Sequence, residues 1–524
     1  YILFGTTQGL LHVVDAETGV EKFAFVPNEM VENQKDAFRL SNVTNGGMQK
    51  LYYGIDGPWA VYTQYVVDSS GNLVVGSGRT ANQKGMQIAY GGLRMGGRSY
   101  YALDLSNINK PELKFHIDPA TKKVYSGSTA KTFNELEYMG QSWSKPTIGW
   151  VNWKGTRKRV MFVGGGYDAG GVDGDARYTD PDDSTKLKKG AYAGYENHNY
   201  NQINKKGAGV YMFDADNGDL LWWASDNVSS TSAASTNSGV ISTKHAELKY
   251  SVVSEIRTVD RDGDDLTDHI YFGDLGGQLF RIDFDNKQKT IGAVPQTPIK
   301  LLTLNAGAKS PRFYDMPGFS LYSQSGDIFA VISIGSGNRS EPLKDFTSSD
   351  TTYDYDSIYN IYDKDVARRD LFNRTKALNT QNLTKENLGE ITEGNRFSNT
   401  DPVASYDKKD GWFYRFQHCT VGVDGQLTNC SNYKKQSEKV FGTPLAMNYK
   451  LYVSTFDASK PGISGDCGAG VKGESMLTAF CLPFGQCASQ LEPSRSVIGV
   501  GIHTVTVGGK KGGGGGGEDC IGNS

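Results

Sequence analysis

Apolar and polar residues alternate along this chain in runs of five to seven positions, and Gly, Asp or Asn closes each run. A period of two places successive side chains on opposite faces of an extended strand, so the pattern predicts strands and turns with little helix. The pattern also repeats. ILFGTTQGLLHVVD at 2–15 aligns without gaps on IYFGDLGGQLFRID at 270–283, with Ile2/Ile270, Phe4/Phe272, Gly5/Gly273, Gly9/Gly277, Leu11/Leu279 and Asp15/Asp283 identical. Each copy reads strand, Gly turn, strand. A second unit, VVDAETG at 13–19, matches MFDADNG at 212–218, with weaker echoes in SYYALDLSN at 99–107 and VMFVGGGYD at 160–168. Antiparallel hairpins that cannot bury their faces alone must stack, and radial stacking gives a propeller.

Three long stretches interrupt the repeats and read as inserted loops: 169–207, 226–248 and 340–408. The last carries one expected short helix near NLTKENLGEI, with Asn382 or Thr384 as N-cap. The expected organisation is an all-β propeller domain over 1–509, its last blades (411–509) containing cysteine, followed by a Gly-rich tail at 510–524. The apolar stretch 497–509 has two open readings: an edge strand offered to a partner, or a strand that closes the ring onto the first blade.

At 524 residues the chain is long enough for about three domains or one large propeller. Lys and Arg number 55 against 58 Asp and Glu, so no global field recruits nucleic acid or an anionic membrane. No apolar run approaches the roughly 18 residues that a membrane-spanning helix needs. The chain starts inside the apolar run YILFG without an initiator Met, which reads as part of a longer precursor with any signal peptide upstream. All six cysteines (Cys419, Cys430, Cys467, Cys481, Cys487 and Cys520) lie in the last fifth, and none forms a CxxC. An even count on Gly-rich loops points to disulfides in an exported protein. Cys419 and Cys430 flank a segment with the turn signal Asp424-Gly425, which makes them the expected pair.

The sharpest chemical signal is DRDGDDLTD at 260–268. A hard cation with six to eight oxygen ligands needs carboxylates on alternate residues of a tight loop, a Gly for the turn, a main-chain carbonyl and a closing carboxylate. Asp260, Asp262 and Asp264 supply the first three, Leu266 the carbonyl and Asp268 the closure, while Asp265 falls between ligand positions. The loop lacks the twelfth-position Glu of an EF-hand and runs into a strand, so it is EF-like but set between strands. Aspartates at 173–183 lack the alternating register, and those at 214–219 fit a hairpin turn. Catalytic signals are absent: the seven histidines (His12, His116, His198, His245, His269, His418, His503) form no HExxH or cluster, IGSGN at 334–338 lacks a nucleophile elbow, and the Gly runs at 164–166 and 512–517 lack GK[ST].

Several segments together resemble the C-terminal propeller domain of the PilY1/PilC type IV pilus tip proteins: GTTQGLLHVVDAETGVEKFAFVP (5–27), YYALDLSN (100–107), GQSWSKPTIGWV (140–151), FVGGGYD (162–168), VDRDGDDLTDHIYFGDLGGQLFRID (259–283), GWFYRF (411–416) and SEKVFGTPLAMNYKLYVSTFDAS (437–459). The resemblance implies a modified seven-bladed, quinoprotein-like propeller and a bound Ca²⁺ held by Asp260, Asp262, Asp264, Leu266 and Asp268. It implies export to the pilus tip, cell surface or outer membrane of a Gram-negative bacterium, with minor pilins as partners and a surface receptor that remains unnamed. The implied roles are adhesion, pilus biogenesis, control of extension and retraction, and twitching motility, without catalysis. The alternative is a quinoprotein (PQQ-type) dehydrogenase, also a calcium-bearing propeller. Quinone sites of that class typically use a vicinal disulfide, whereas no two cysteines are adjacent here.

Overall fold

The computed structural model describes residues 1–38, 52–171, 173–175, 177–180, 182–189, 202, 205–229, 239–373, 376–398, 402–417, 420–421, 427–428, 433–463, 470–489, 491, 494–508 and 520–523. Strands dominate, and the one α-helix among the described residues is Asn28–Gln34. Pro27 precedes it, where a fixed φ and a missing N–H cost nothing.

Six sheets of three or more strands are built among the described residues. The first orders Ile2–Gly5, Leu11–Val14 and Glu21–Phe25. The second runs from Trp59–Gln64 through Met86–Gly92, Tyr100–Asp104, Glu112–Asp118 and Lys123–Ser126 to Thr129–Thr132. The third orders Thr147–Trp153, Thr156–Gly164, Val210–Asp214, Leu220–Ser225 and Ile241–Lys244. The fourth orders Arg257–Val259, His269–Gly273, Gln278–Asp283 and Ile299–Thr303. The fifth orders Gly318–Gln324, Asp327–Gly335, Ser357–Asp363, Gly411–Arg415 and Gly389–Ile391. The sixth orders Glu438–Val440, Lys450–Asp457, Glu474–Cys481 and Arg495–Val500. The chain divides into two compact units, Tyr1–Ile270 with Ile282–Pro298 and Tyr271–Arg281 with Ile299–Ser524.

The sequence repeats are structural repeats. In the first hairpin Thr6 N–H donates to Leu10 O at 2.9 Å, and at the matching place Asp274 N–H donates to Gln278 O at 3.0 Å. Gly9 and Gly277 sit in these turns with φ of 96° and 73°, a region that side chains rarely enter. The second unit repeats as closely: Gly19 N–H donates to Asp15 O and Gly218 N–H to Asp214 O, at 2.9 and 2.8 Å. Its strands share a bulge two residues before the aspartate, between Val13 and Val14 and between Met212 and Phe213. The weaker echo carries the same bulge between Ala102 and Leu103, ahead of Asp104.

Apolar faces pack within each unit. In the first, Tyr90, Tyr100, Phe115, Met161, Phe213 and Trp223 form one buried cluster. In the second, Phe329, Val331, Tyr362, Trp412 and Phe480 form another.

The expected insertions contain more order than their composition suggests. Residues 340–408 include Ser357–Asp363, a fully buried strand inside the fifth sheet, and Gly389–Ile391, which pairs with Gly411–Arg415 in parallel. The expected helix is a single 3₁₀ turn, Lys385–Asn387, with Thr384 rather than Asn382 as its cap; Asn387 Oδ1 accepts from Thr384 N–H at 2.8 Å. Insertion 169–207 holds a hairpin of Arg177–Asp180 and Asp183–Lys189, and 226–248 holds the strand Ile241–Lys244. The stretch 497–509 is divided between Arg495–Val500, at the edge of the sixth sheet, and Val505–Gly508, which pairs with Cys520–Asn523 near the chain end. Cys481 and Cys487 form a disulfide. The expected Cys419–Cys430 pair and Cys467 lie outside the described residues.

Candidate metal centre

The acidic loop links Arg257–Val259 to His269–Gly273. Its shape comes from its own carboxylates. Asp260 Oδ1 accepts the N–H groups of Asp262 and Gly263 at 3.2 and 2.8 Å, and Oδ2 accepts that of Asp265 at 2.8 Å. Asp264 Oδ1 accepts Leu266 N–H at 2.8 Å. Gly263 and Asp265 take φ of 78° and 63°, and these two left-handed residues fold the backbone back toward the cluster. Asp268 closes the loop: its Oδ2 accepts Arg261 N–H at 2.9 Å, and its own N–H donates to Val259 O at 2.9 Å.

The result is that Asp260, Asp262, Asp264 and Asp268 each place a carboxylate oxygen within 4.8 Å of the others. The first three are exposed and the last is buried. Burial raises the Asp268 carboxyl above its ordinary pKa, hydrogen bonds from Arg261 and Asn286 oppose that shift, and the Asp262 charge adds to it. Four convergent carboxylates are mutually repulsive, and a cation relieves that repulsion. The donor set is all oxygen, without imidazole or thiolate, which suits a hard cation. The cluster is therefore able to hold a metal ion. Asp265, the residue between ligand positions, is not part of the cluster and pairs with Arg157 at 3.3 Å.

Four supporting residues, Asn286, Asn152, Arg157 and Trp150, are not legible in the loop itself. Asn286 Nδ2 donates to Asp268 Oδ1 at 3.1 Å and to Thr267 O at 2.9 Å. Asn286 Oδ1 in turn accepts Asn152 N–H at 2.9 Å, so the closing carboxylate is tied to the third sheet. Arg157 stacks 4.9 Å from the Trp150 ring centre and donates to Asp264 O at 3.2 Å. The backbone anchors the same side, because Thr267 N–H donates to Trp150 O at 2.7 Å. Behind the loop His269 Nδ1 meets Asp283 Oδ1 at 2.6 Å, both fully buried. Asp283 and Asp15 are equivalent in the repeat, but Asp15 is a turn residue that accepts Glu17 and Thr18 N–H groups.

No family model matches the sequence. The chain is similar to the type IV pilus biogenesis factor PilY1 homolog of Xylella fastidiosa, at 23% identity over 493 residues, covering 90% of this chain and 25% of that protein. It thus spans about a quarter of the length of this curated relative. Among solved structures it is similar to the Pseudomonas aeruginosa PilY1 C-terminal domain, with a TM-score of 0.57 at 16% identity, covering 99% of this chain and 90% of that one. The quinohemoprotein alcohol dehydrogenase of Comamonas testosteroni aligns with a TM-score of 0.27 at 12% identity, over 90% of this chain and 69% of that one. The similarities to the Xylella and Pseudomonas proteins bear out the resemblance to PilY1 and the all-β propeller class.

Proposed function

We propose that this chain is the calcium-binding propeller module of a type IV pilus-associated protein, acting by binding rather than by catalysis. The observation that carries this reading is the convergence of four loop carboxylates in a chain similar to a pilus biogenesis factor over nine-tenths of its length. Asp260, Asp262, Asp264 and Asp268 would hold Ca²⁺ with the Leu266 carbonyl, and the ion would supply the positive charge that lets the four carboxylates stay together. The affinity falls in the range of roughly 10⁻⁷ to 10⁻⁴ M.

A ligand stabilises only the conformation that binds it, so loading favours the closed loop and the two strands it joins. On this reading the closed loop presents a surface to minor pilins at the pilus tip and supports pilus biogenesis, extension and retraction, twitching motility and surface adhesion. The protein would act at the bacterial surface; among the described residues no helix is long and apolar enough to cross a membrane. The test is a chromosomal Asp268→Ala substitution scored for surface piliation and twitching, with calcium titration of the purified variant in parallel. Loss of both calcium binding and pilus function supports the reading. Normal pili and motility in a variant that no longer binds calcium would reduce the ion to a structural part, and normal pili after deletion of the whole module would overturn the pilus role.

A further inference from the structure

The second unit contains a pocket of about 490 Å³, walled by residues 303–306 at the end of the fourth sheet, Asp354, Tyr355 and Asp356 before a strand of the fifth, and Lys385 with Glu386. This volume lies in the range of sites for small ligands. The pocket is independent of the metal loop and of the pilus reading.

Asp354 and Lys385 are spent on each other, and Lys309 and Glu386, one charge of each sign, also line the pocket. Asp354 pairs with Lys385 and, through Oδ1, with Arg415 Nε at 3.2 Å. Arg415 Nη1 also donates to Glu390 at 2.6 Å. Asp356 differs. It lines the pocket at 3% exposure, and its Oδ1 accepts from Ser336 Oγ at 2.8 Å, yet among the described residues no donor reaches its Oδ2. A buried carboxylate oxygen without a donor costs free energy that a ligand's donor would recover.

The surroundings choose between donors. Lys439 and Arg312 already act on Asp356 as cations, with Asp354 as the opposing anion. The Lys439 ammonium is itself buried and committed to the carbonyls of Lys344 and Gln436. A second cation entering here meets like charge, and an anion meets the orphan acceptor. A hydroxyl donates to Asp356 without either penalty. The rest of the wall suits such a ligand: Thr303 and Thr352 offer hydroxyls, Gln436 an amide, and Tyr355 and Tyr359 aromatic rings.

We propose that this pocket binds a neutral polyhydroxylated ligand of the saccharide class, with one ligand hydroxyl donating to Asp356. The test is saturation-transfer NMR on the full chain with D-glucose, D-galactose, D-mannose and N-acetylglucosamine, and with butylammonium as the cationic comparison. Two variants accompany it: Thr352→Trp, which fills the mouth from an exposed loop position, and Asp356→Asn, which replaces the acceptor at constant size. At least one sugar is expected to receive saturation, with the signal abolished in Thr352→Trp and the affinity about tenfold weaker in Asp356→Asn, as loss of a charged hydrogen bond implies. Thermal melts establish that both variants fold. Absence of transfer to every sugar, transfer that survives Thr352→Trp in a folded protein, or transfer to butylammonium alone would overturn the proposal.

Discussion

Arg281 and Asp363 form an ion pair sealed from solvent in the second unit. Both side chains are fully buried, and Arg281 Nη1 lies 2.6 Å from each carboxylate oxygen. Tyr271 donates its hydroxyl to the same carboxylate at 2.9 Å, and the N–H groups of Asp365 and Val366 donate to Oδ1 at 3.1 Å. Breaking one side of such a pair leaves a buried charge unmatched. Arg281→Met is expected to cost about 3 to 5 kcal/mol in urea unfolding. Adding Asp363→Asn should recover part of the loss, because the charge is gone while one oxygen remains for the two backbone donors. A double variant no more stable than Arg281→Met would show that the pair's worth is not electrostatic.

The metal centre predicts a graded series. Asp268→Ala removes the closing carboxylate and should abolish calcium binding measured by calorimetry. Asn286→Ala leaves every loop carboxylate in place but releases Asp268 from its hydrogen bond, and affinity should fall by about 10- to 100-fold, as for other supports behind metal ligands. Calcium binding unchanged in Asp268→Ala would refute the assignment of that ligand. Equal affinity in Asn286→Ala and the parent would show that the loop closes without its neighbour.

Asp356 makes stability depend on pH. Burial pushes its carboxyl from 3.8 up to about 6, against the opposing influence of Lys439, while burial also lowers Lys439 to about 8. A carboxyl that binds its proton more tightly in the fold than in the open chain loses stability as pH rises from about 4 through about 6, and regains it on acidification. Asp356→Asn stays neutral throughout. It should gain up to about 3 kcal/mol over the parent near pH 7, less whatever Lys439 loses with its partner, and the gain should vanish near pH 4. Denaturant midpoints across this range check it; a difference that does not vary with pH would contradict the assignment.

Non-reducing peptide mapping should recover the Cys481–Cys487 linkage and a Cys419–Cys430 linkage. Replacing both Cys481 and Cys487 by Ser should cost about 2 kcal/mol, the chain-entropy value for so short a loop. Free thiols at both Cys419 and Cys430 would remove the support for an oxidising compartment.

What was legible in the sequence was local. The repeats could be aligned because a Gly turn and an aspartate cap need particular residues at fixed offsets, and the hydrogen bonds at Thr6 and Asp274 follow that alignment. The acidic loop could be read because all its carboxylates fall within nine residues. Asn286 is not legible in the loop because it lies 18 residues beyond Asp268 and reaches it only after the intervening hairpin folds back. Ser357–Asp363 reads as part of an insertion because Asp- and Tyr-rich flanks hide a strand whose seven residues are all buried. Asp356 carried no motif at all; its isolation arises from residues at 312, 336 and 439 that only the fold brings near.

The bulge at Val13/Val14 and at Met212/Phe213, with connections of equal length, makes these two hairpins interchangeable parts, whereas the hairpin bulged at Ala102/Leu103 has a longer connection. Because Lys22 and Leu221, the extra residues on the second strands, stand equally far beyond Asp15 and Asp214, the turn of one could be transplanted into the other without reversing which side chains face inward. A chimera exchanging 13–19 with 212–218 keeps phase, whereas deleting one residue from either segment does not. The first sheet, whose outer strand Ile2–Gly5 is largely exposed, is thus a place where loops of foreign sequence can be displayed on an unchanged frame.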